Sequence, residues 1–259
     1  MPADLVVIPC LSDNYAYLIH DTATDATAVV DVPEAAPILS ALTERGWKLT
    51  HILLTHHHND HIGGVEALVA ATGARVVGAA ADAHRLPPLT EELAEGDAVQ
   101  FGTEDFEVLE VPGHTVGHIA FHLPQSRMLF TGDSLMSWGC GRLFEGTPAQ
   151  MWDSLQKLAA LPDDTLICSG HEYTTSNGRF ALHLEPHNPA LTSRFAEVTA
   201  ARAAGKPTVP ASLALERATN PFLRASDPVL ARAAGLADSD TPATALEVFT
   251  ALRGLKDRF

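Results

Sequence analysis

From Thr55 to Gly64 the chain reads Thr-His-His-His-Asn-Asp-His-Ile-Gly-Gly, so four histidines and an aspartate fall within six positions, directly after the apolar run Ile52-Leu53-Leu54. A strand running out into a loop puts alternate side chains on one side. His56 and His58 can therefore converge on one point while Asp60 and His61 turn toward another. Neutral imidazole and carboxylate are the ligands that zinc, iron(II) and manganese accept. A polar surface loop that is merely His-rich needs no order; the ordered pattern H-x-H-x-D-H beside a Gly-Gly turn points to two bound cations.

The rest of the chain supplies further loops of the same kind. Leu5 to Cys10, Tyr15 to His20 and Ala28 to Val32 read as three short strands with turn residues between them, the start of an antiparallel sheet. Glu34 to Arg45 has helical spacing and stops at Gly46, and Leu49 to Leu54 is a buried strand that delivers the histidine loop. Val65 to Ala71 reads as a helix and Arg75 to Gly78 as a strand. Phe106 to Val111 leads into Pro112-Gly113-His114-Thr115-Val116-Gly117-His118, Arg127 to Thr131 into Gly132-Asp133-Ser134, and Thr165 to Cys168 into Ser169-Gly170-His171. Strand ends thus carry His or Asp beside Gly four times. Ligands on loops at one rim of a rigid scaffold are how a metal site is assembled from distant segments. Met151 to Leu161 has a helical apolar face.

Beyond about residue 175 the strand pattern stops. Helices are expected over Pro189 to Ala204, near Ser212 to Ala218, over Pro228 to Ala234 and from Pro242 to about Lys256, with Asp227-Pro228 and Thr241-Pro242 as N-cap and N1 pairs. The organisation expected is a catalytic domain over residues 1–174 and a helical substrate-binding domain over 175–259.

Charge narrows the partners. Lys+Arg of 17 against Asp+Glu of 32 gives a net charge of −15, which repels nucleic acid and anionic membrane surfaces. No apolar run approaches the roughly 18 residues that a membrane span needs, and no leader pattern opens the chain. Cys10, Cys140 and Cys168 are too few and too odd for a disulfide framework, so free thiols and a cytoplasmic location are expected. A monomer is the working expectation.

The loop ligands collect as His56, His58, Asp60, His61, His114, Asp133 and His171, too many for one tetrahedral ion. They suit two divalent ions: His56, His58 and His114 on the first, Asp60, His61 and His171 on the second, with Asp133 shared. Zinc is the first expectation, with iron or manganese as alternatives. In order and spacing this set resembles the metallo-β-lactamase superfamily over residues 1 to about 174. The resemblance implies an α/β fold, a four-layer αβ/βα sandwich with the site at one sheet edge.

A narrower resemblance rests on Asp13-Asn14-Tyr15, Gly139-Cys140-Gly141-Arg142, Gly146-Thr147, His171-Glu172-Tyr173-Thr174, Asn220-Pro221-Phe222 and the closing Leu252-Arg253-Gly254-Leu255-Lys256-Asp257-Arg258-Phe259. Together these look like the glyoxalase II (hydroxyacylglutathione hydrolase) family, across almost the whole chain. The resemblance implies cleavage of S-D-lactoylglutathione and other 2-hydroxyacylglutathiones to the hydroxy acid and glutathione. Two divalent ions lower the pKa of a shared water from about 15.7 toward about 7, and the resulting metal-bridging hydroxide, with Asp60 and Asp133 as the catalytic carboxylates, would be the nucleophile. A thiolate of pKa roughly 8.5 leaves without a dedicated general acid. The resemblance also assigns Arg142, Tyr173, Arg253 and Lys256 to the glutathione moiety, with Asn177 and Phe144 beside it. Phe144 stands where many relatives have Tyr, leaving apolar contact only, and Arg142 replaces a Lys, keeping charge but not geometry. His57 and His118 are expected next to the ligands rather than among them.

The rival within the fold is a mononuclear iron persulfide dioxygenase acting on glutathione persulfide, whose relatives are expected to lack the long helical tail. A nuclease of this fold would want a basic exosite, and a scaffold with a dead site would have lost a ligand.

Overall fold

The computed structural model describes residues 3–236 and 242–259. Its architecture follows from strands buried on both faces. In β2 (Asn14–Asp21) every residue is buried. Tyr15, Tyr17 and Ile19 enter one apolar cluster and Ala16 and Leu18 another, as the two-residue period of a strand requires. β2 lies between β1 (Asp4–Cys10) and β3 (Ala26–Val30), antiparallel to both. Parallel strands β4 (Leu49–Leu53), β5 (Arg75–Ala79) and β6 (Glu91–Leu93) complete the first sheet in the order β1-β2-β3-β4-β5-β6. Helices α1 (Ala35–Arg45) and α3 (Val65–Thr72) cover its outer face, and α2 (Asn59–Ile62) is a single turn within the histidine loop. Helices on one face and a second sheet on the other explain why these strands read as continuous apolar runs.

The second sheet contains β7 (Ala98–Phe101), β8 (Glu104–Glu110), β9 (Ile119–Leu123), β10 (Met128–Gly132), β13 (Leu166–Ser169) and β14 (Ala211–Ser212), ordered β14-β13-β10-β9-β8-β7. A small hairpin, β11 (Leu135–Met136) with β12 (Gly139–Cys140), follows β10. Phe106, Phe121 and Phe130 pack against Tyr17 and Val77 between the sheets. On the far side of the second sheet lie α4 (Pro148–Ala159), capped by a Thr147/Gln150 box, and the tail helices α5 (Thr174–Leu184), α6 (Pro189–Ala203), α7 (Leu213–Thr219), α8 (Pro228–Ala233) and α9 (Ala245–Lys256). The result is the expected four-layer αβ/βα sandwich.

The tail departs from expectation in three places. α5 was not legible: its run TTSNGRFALHL is polar and contains Gly178, whose position is explained by Trp138, because a Cβ there would come within 2.6 Å of the indole ring. α9 starts at Ala245 behind a Thr244/Glu247 capping box rather than at Pro242; Thr241, expected as its cap, lies outside the described residues. β14, from within the tail, pairs antiparallel with β13, so residues 175–259 extend the second sheet as well as covering it. Phe180, Leu213, Phe222 and Leu252 share one core with Val111, Leu129 and Ile167. Among the described residues no helix is long and apolar enough to cross a membrane.

Candidate metal centre

The ends of β4, β8, β10 and β13 meet along one rim of the sandwich and bring the predicted ligands together. Nε2 of His56, Nδ1 of His58 and Nε2 of His114 form one group: His58 Nδ1 lies 3.1 Å from the first and 3.0 Å from the last. Asp60, His61 and His171 form a second, with His61 Nε2 at 3.3 Å from His171 Nε2 and His171 Nε2 at 3.4 Å from Asp60 Oδ2. Asp133 lies between them. Its Oδ2 is 3.4 Å from His114 Nε2 and 3.3 Å from His171 Nε2, and its Oδ1 is 3.5 Å from His61 Nε2.

Backbone and buried side chains fix which nitrogen points inward on the rings of His56, His61, His114 and His171. Asp31, at the end of β3 with a left-handed φ of 57°, accepts from the backbone N–H and the hydroxyl of Thr55 at 2.9 Å and pairs with His61 Nδ1 at 2.8 Å. The Thr55 hydroxyl in turn accepts from His56 Nδ1 at 3.0 Å. One buried carboxylate thus sets both tautomers. His114 Nδ1 donates to Arg142 O at 2.8 Å, and His171 Nδ1 to Asp13 Oδ1 at 3.1 Å. Asn14 donates to Asp60 Oδ2 at 3.1 Å. His118 is buried and stacks on His56; its Nδ1 donates to Ile119 O and its Nε2 accepts from Asp133 N, so it supports the site without joining it. His57 faces Asp82 and Glu145 instead.

Sequence reasoning missed Asp31, a lone Asp at a strand end with no pattern of its own, and gave no role to Asp13 although it opens the Asp13-Asn14-Tyr15 motif; the fold puts each behind a ligand.

This donor set fits cations. Facing ring nitrogens at about 3 Å cannot all be hydrogen-bonded to one another, and Asp133 Oδ1 is buried without a hydrogen-bond partner among the described residues. Burial drives His56, His58 and His114 below the ordinary histidine range, toward the neutral form that binds a metal. Burial also opposes charge on His61 and His171, but the carboxylates around them win, and His171 is pushed up to about 11. Asp133 is held well below the usual carboxylate range because the histidine ring outweighs its burial. An ion taken up by the second triad would therefore displace protons.

Beside the metal rim is a cleft of about 430 Å³ lined by Arg142, Phe144, Tyr173, Asn177, Arg253 and Lys256 together with His114 and Asp133. Every residue expected at the substrate side borders it, in different states. Arg142 is exposed, and Tyr173 stacks on the His171 ring at 4.5 Å. Phe144 is exposed, with its ring centroid 5.2 Å from that of His114. Lys256 is half-buried near Ser176, and desolvation followed by repulsion from Arg253 and Arg142 brings its ammonium down to about 8. Arg253 and Asn177 border the cleft with polar groups already engaged within the chain. The Arg253 guanidinium is buried and donates to Cys140 O at 2.8 Å and Asp257 Oδ1 at 2.9 Å, while Asn177 is buried and donates to Ser137 O at 3.0 Å. Both already hold the β11–β12 hairpin. Cys140 also borders the cleft, but burial raises its thiol and the oxygen and nitrogen set is complete without it.

Comparison with known proteins gives the family of the chain. Residues 12–171 match the metallo-beta-lactamase superfamily model and residues 172–259 the model of the hydroxyacylglutathione hydrolase C-terminus. Proteins called hydroxyacylglutathione hydrolase from Cereibacter sphaeroides and Rhodobacter capsulatus are 64% and 63% identical over 100% of both chains. Among solved structures, ETHE1 from Myxococcus xanthus is 28% identical with a TM-score of 0.64, covering 99% of this chain and 98% of its own. TTHA1623, solved in a di-iron-bound form, is 28% identical with a TM-score of 0.61, covering 85% of this chain and all of its own. The ETHE1 alignment runs through the tail, at far lower identity than the full-length relatives. With both models adjoining end to end and full-length relatives above 60% identity, the chain belongs to the hydroxyacylglutathione hydrolase family of the metallo-β-lactamase superfamily.

Proposed function

We propose that the protein hydrolyses S-D-lactoylglutathione and related 2-hydroxyacylglutathione thioesters, using two divalent cations held by His56, His58 and His114 and by Asp60, His61 and His171, with Asp133 between them. The observation that carries this reading is the position of Asp133, within 3.3–3.5 Å of both triads and opening onto a cationic cleft. Two bound ions supply Lewis acidity and an activated water at neutral pH. The chain's residues do the rest. Asp31, Asp13 and Arg142 O hold the rings so that their lone pairs face inward, while Arg142 and Lys256 gather positive charge around the cleft of an otherwise acidic protein, to meet the carboxylates of glutathione. Phe144 adds an apolar face beside His58 and His114.

Zinc is the proposed occupant. Nitrogen and carboxylate donors also accept iron, and a di-iron relative of the fold supports that alternative. The proposed setting is a cytoplasmic monomer.

The test is a steady-state assay with S-D-lactoylglutathione and metal-loaded protein, with glutathione persulfide and oxygen as the competing substrates. Loss of the thioester with release of free thiol is expected; oxygen consumption with the persulfide and an intact thioester would reject the reading.

Lys256 gives a pH prediction. An ammonium at about 8 binds a carboxylate below that pH and loses its charge above it. KM is therefore expected to climb several-fold between about pH 7.5 and 9 while kcat changes little, and Lys256→Met should start with the higher KM and show no climb. A climb of the same size in Lys256→Met would remove Lys256 from the binding role.

A further inference from the structure

The β11–β12 hairpin is held almost entirely by side chains from the helical tail. Asn220 Nδ2 donates to Met136 O at 3.0 Å and Gly139 O at 3.1 Å. Asn177 Nδ2 donates to Ser137 O, and Arg253 Nη1 donates to Cys140 O. Glu216 Oε2 accepts from Trp138 N at 2.8 Å, and its Oε1 accepts from the Ser137 hydroxyl at 3.0 Å. Each residue from Met136 to Cys140 thus has a main-chain group bonded to the tail. Glu216 is itself fully buried and paired with Arg194, whose guanidinium lies 4.2 Å above the Trp138 ring. Trp138 sits at the tip with a φ of 55° and no exposure. A bulky residue keeps that left-handed backbone only where its surroundings over-determine it.

The hairpin's two ends are attached to the metal rim. Asp133 lies just before it. Gly141, just after it, donates to Ser134 O and presses so closely on Asp133 O and His114 that a Cβ has no room. The next residue, Arg142, supplies the carbonyl that orients His114.

We propose that Asn220 and Glu216 are positioning residues for the metal centre: through the hairpin they fix Asp133 and His114, so the tail sets the geometry of the cation site in addition to binding substrate. This rests on the hydrolase reading above. Asn220 is fully buried and does not border the cleft, so its influence cannot pass through direct substrate contact. A bond deleted at Asn220 frees two carbonyls and lets the hairpin relax.

The test is Asn220→Ala, with Ser137→Ala as the milder variant that removes one hydroxyl shared by Glu216 and Arg194. Each is loaded with zinc and compared with the parent in chelator competition and in S-D-lactoylglutathione kinetics. Partners behind metal ligands alter affinity or activity by about 10–100-fold, so Asn220→Ala is expected to hold zinc roughly tenfold less tightly and to lose roughly tenfold in kcat, with KM within about twofold. Ser137→Ala should move the same two quantities about threefold. A lowered Tm with parental zinc retention and parental kcat, or a change in KM alone, would overturn the proposal. If Asn220→Ala does not fold, parental values in Ser137→Ala overturn it equally. Failure of the parent to hydrolyse the thioester would retire the hydrolase reading, while zinc retention would still decide whether the clamp exists.

Discussion

Replacing Asp133 with alanine is expected to reduce kcat by on the order of 10³-fold or more, equivalent to about 4 kcal/mol of barrier. Among the described residues, Asp133 is the carboxylate that lies within 3.5 Å of inward-facing nitrogens from both triads. Its removal leaves His114, His61 and His171 without a shared anion, and no carboxylate remains to join two cations or to orient a water between them. The variant should fold, since Asp133 Oδ1 makes no hydrogen bond within the described chain and the main-chain bond to His118 survives the substitution. Its zinc content should drop to one equivalent or less. Steady-state kinetics and metal analysis check both parts; an enzyme within tenfold of the parent, still carrying two equivalents, would show that Asp133 is not the shared ligand.

Stripping the metals is expected to abolish thioesterase activity and to lower thermal stability together. An ion that binds only the folded chain stabilises it by about 4 kcal/mol when its free concentration is roughly 1,000 times its Kd, and a protein of this size shifts by about 2–4 °C per kcal/mol. A loss of about 10 °C in Tm on chelation is therefore expected, reversed by adding zinc. The cause is the crowding at the rim. Without cations, buried imidazoles face one another and Asp60, Asp133 and Asp31 lie among them with only those rings as counter-charges. Differential scanning fluorimetry with and without chelator reads the shift. An unchanged Tm alongside full activity would mean that the cluster is structural and the chemistry lies elsewhere.

Much of this arrangement was legible before the fold was known, for a physical reason. Ligand loops are short, follow closely on buried strands, and use residue types that packing does not explain; alternation pairs His56 with His58, whereas Asp60 and His61 are turned toward the second group by the single helical turn α2. Asp31 and the role of Asp13 were not legible because a single carboxylate placed behind a ligand is a property of folding, not of spacing. α5 was hidden because Gly178 and its polar neighbours imitate a loop, and only the indole of Trp138 lying over that glycine accounts for them. The roles of Arg253 and Asn177 were the least legible. A cation near the end of an amphipathic helix looks available to a ligand, whereas the tertiary structure already engages Arg253 with Cys140 O and Asn177 with Ser137 O.

The central claim is that two triads share one carboxylate around a pair of cations. An anomalous-difference map from crystals of the zinc-loaded protein, collected on both sides of the zinc edge, tests it directly. Two peaks roughly 3.5–4 Å apart are predicted, one among His56, His58 and His114 and one among Asp60, His61 and His171, with Asp133 touching both. A single peak, or two with Asp133 turned away, would contradict the account.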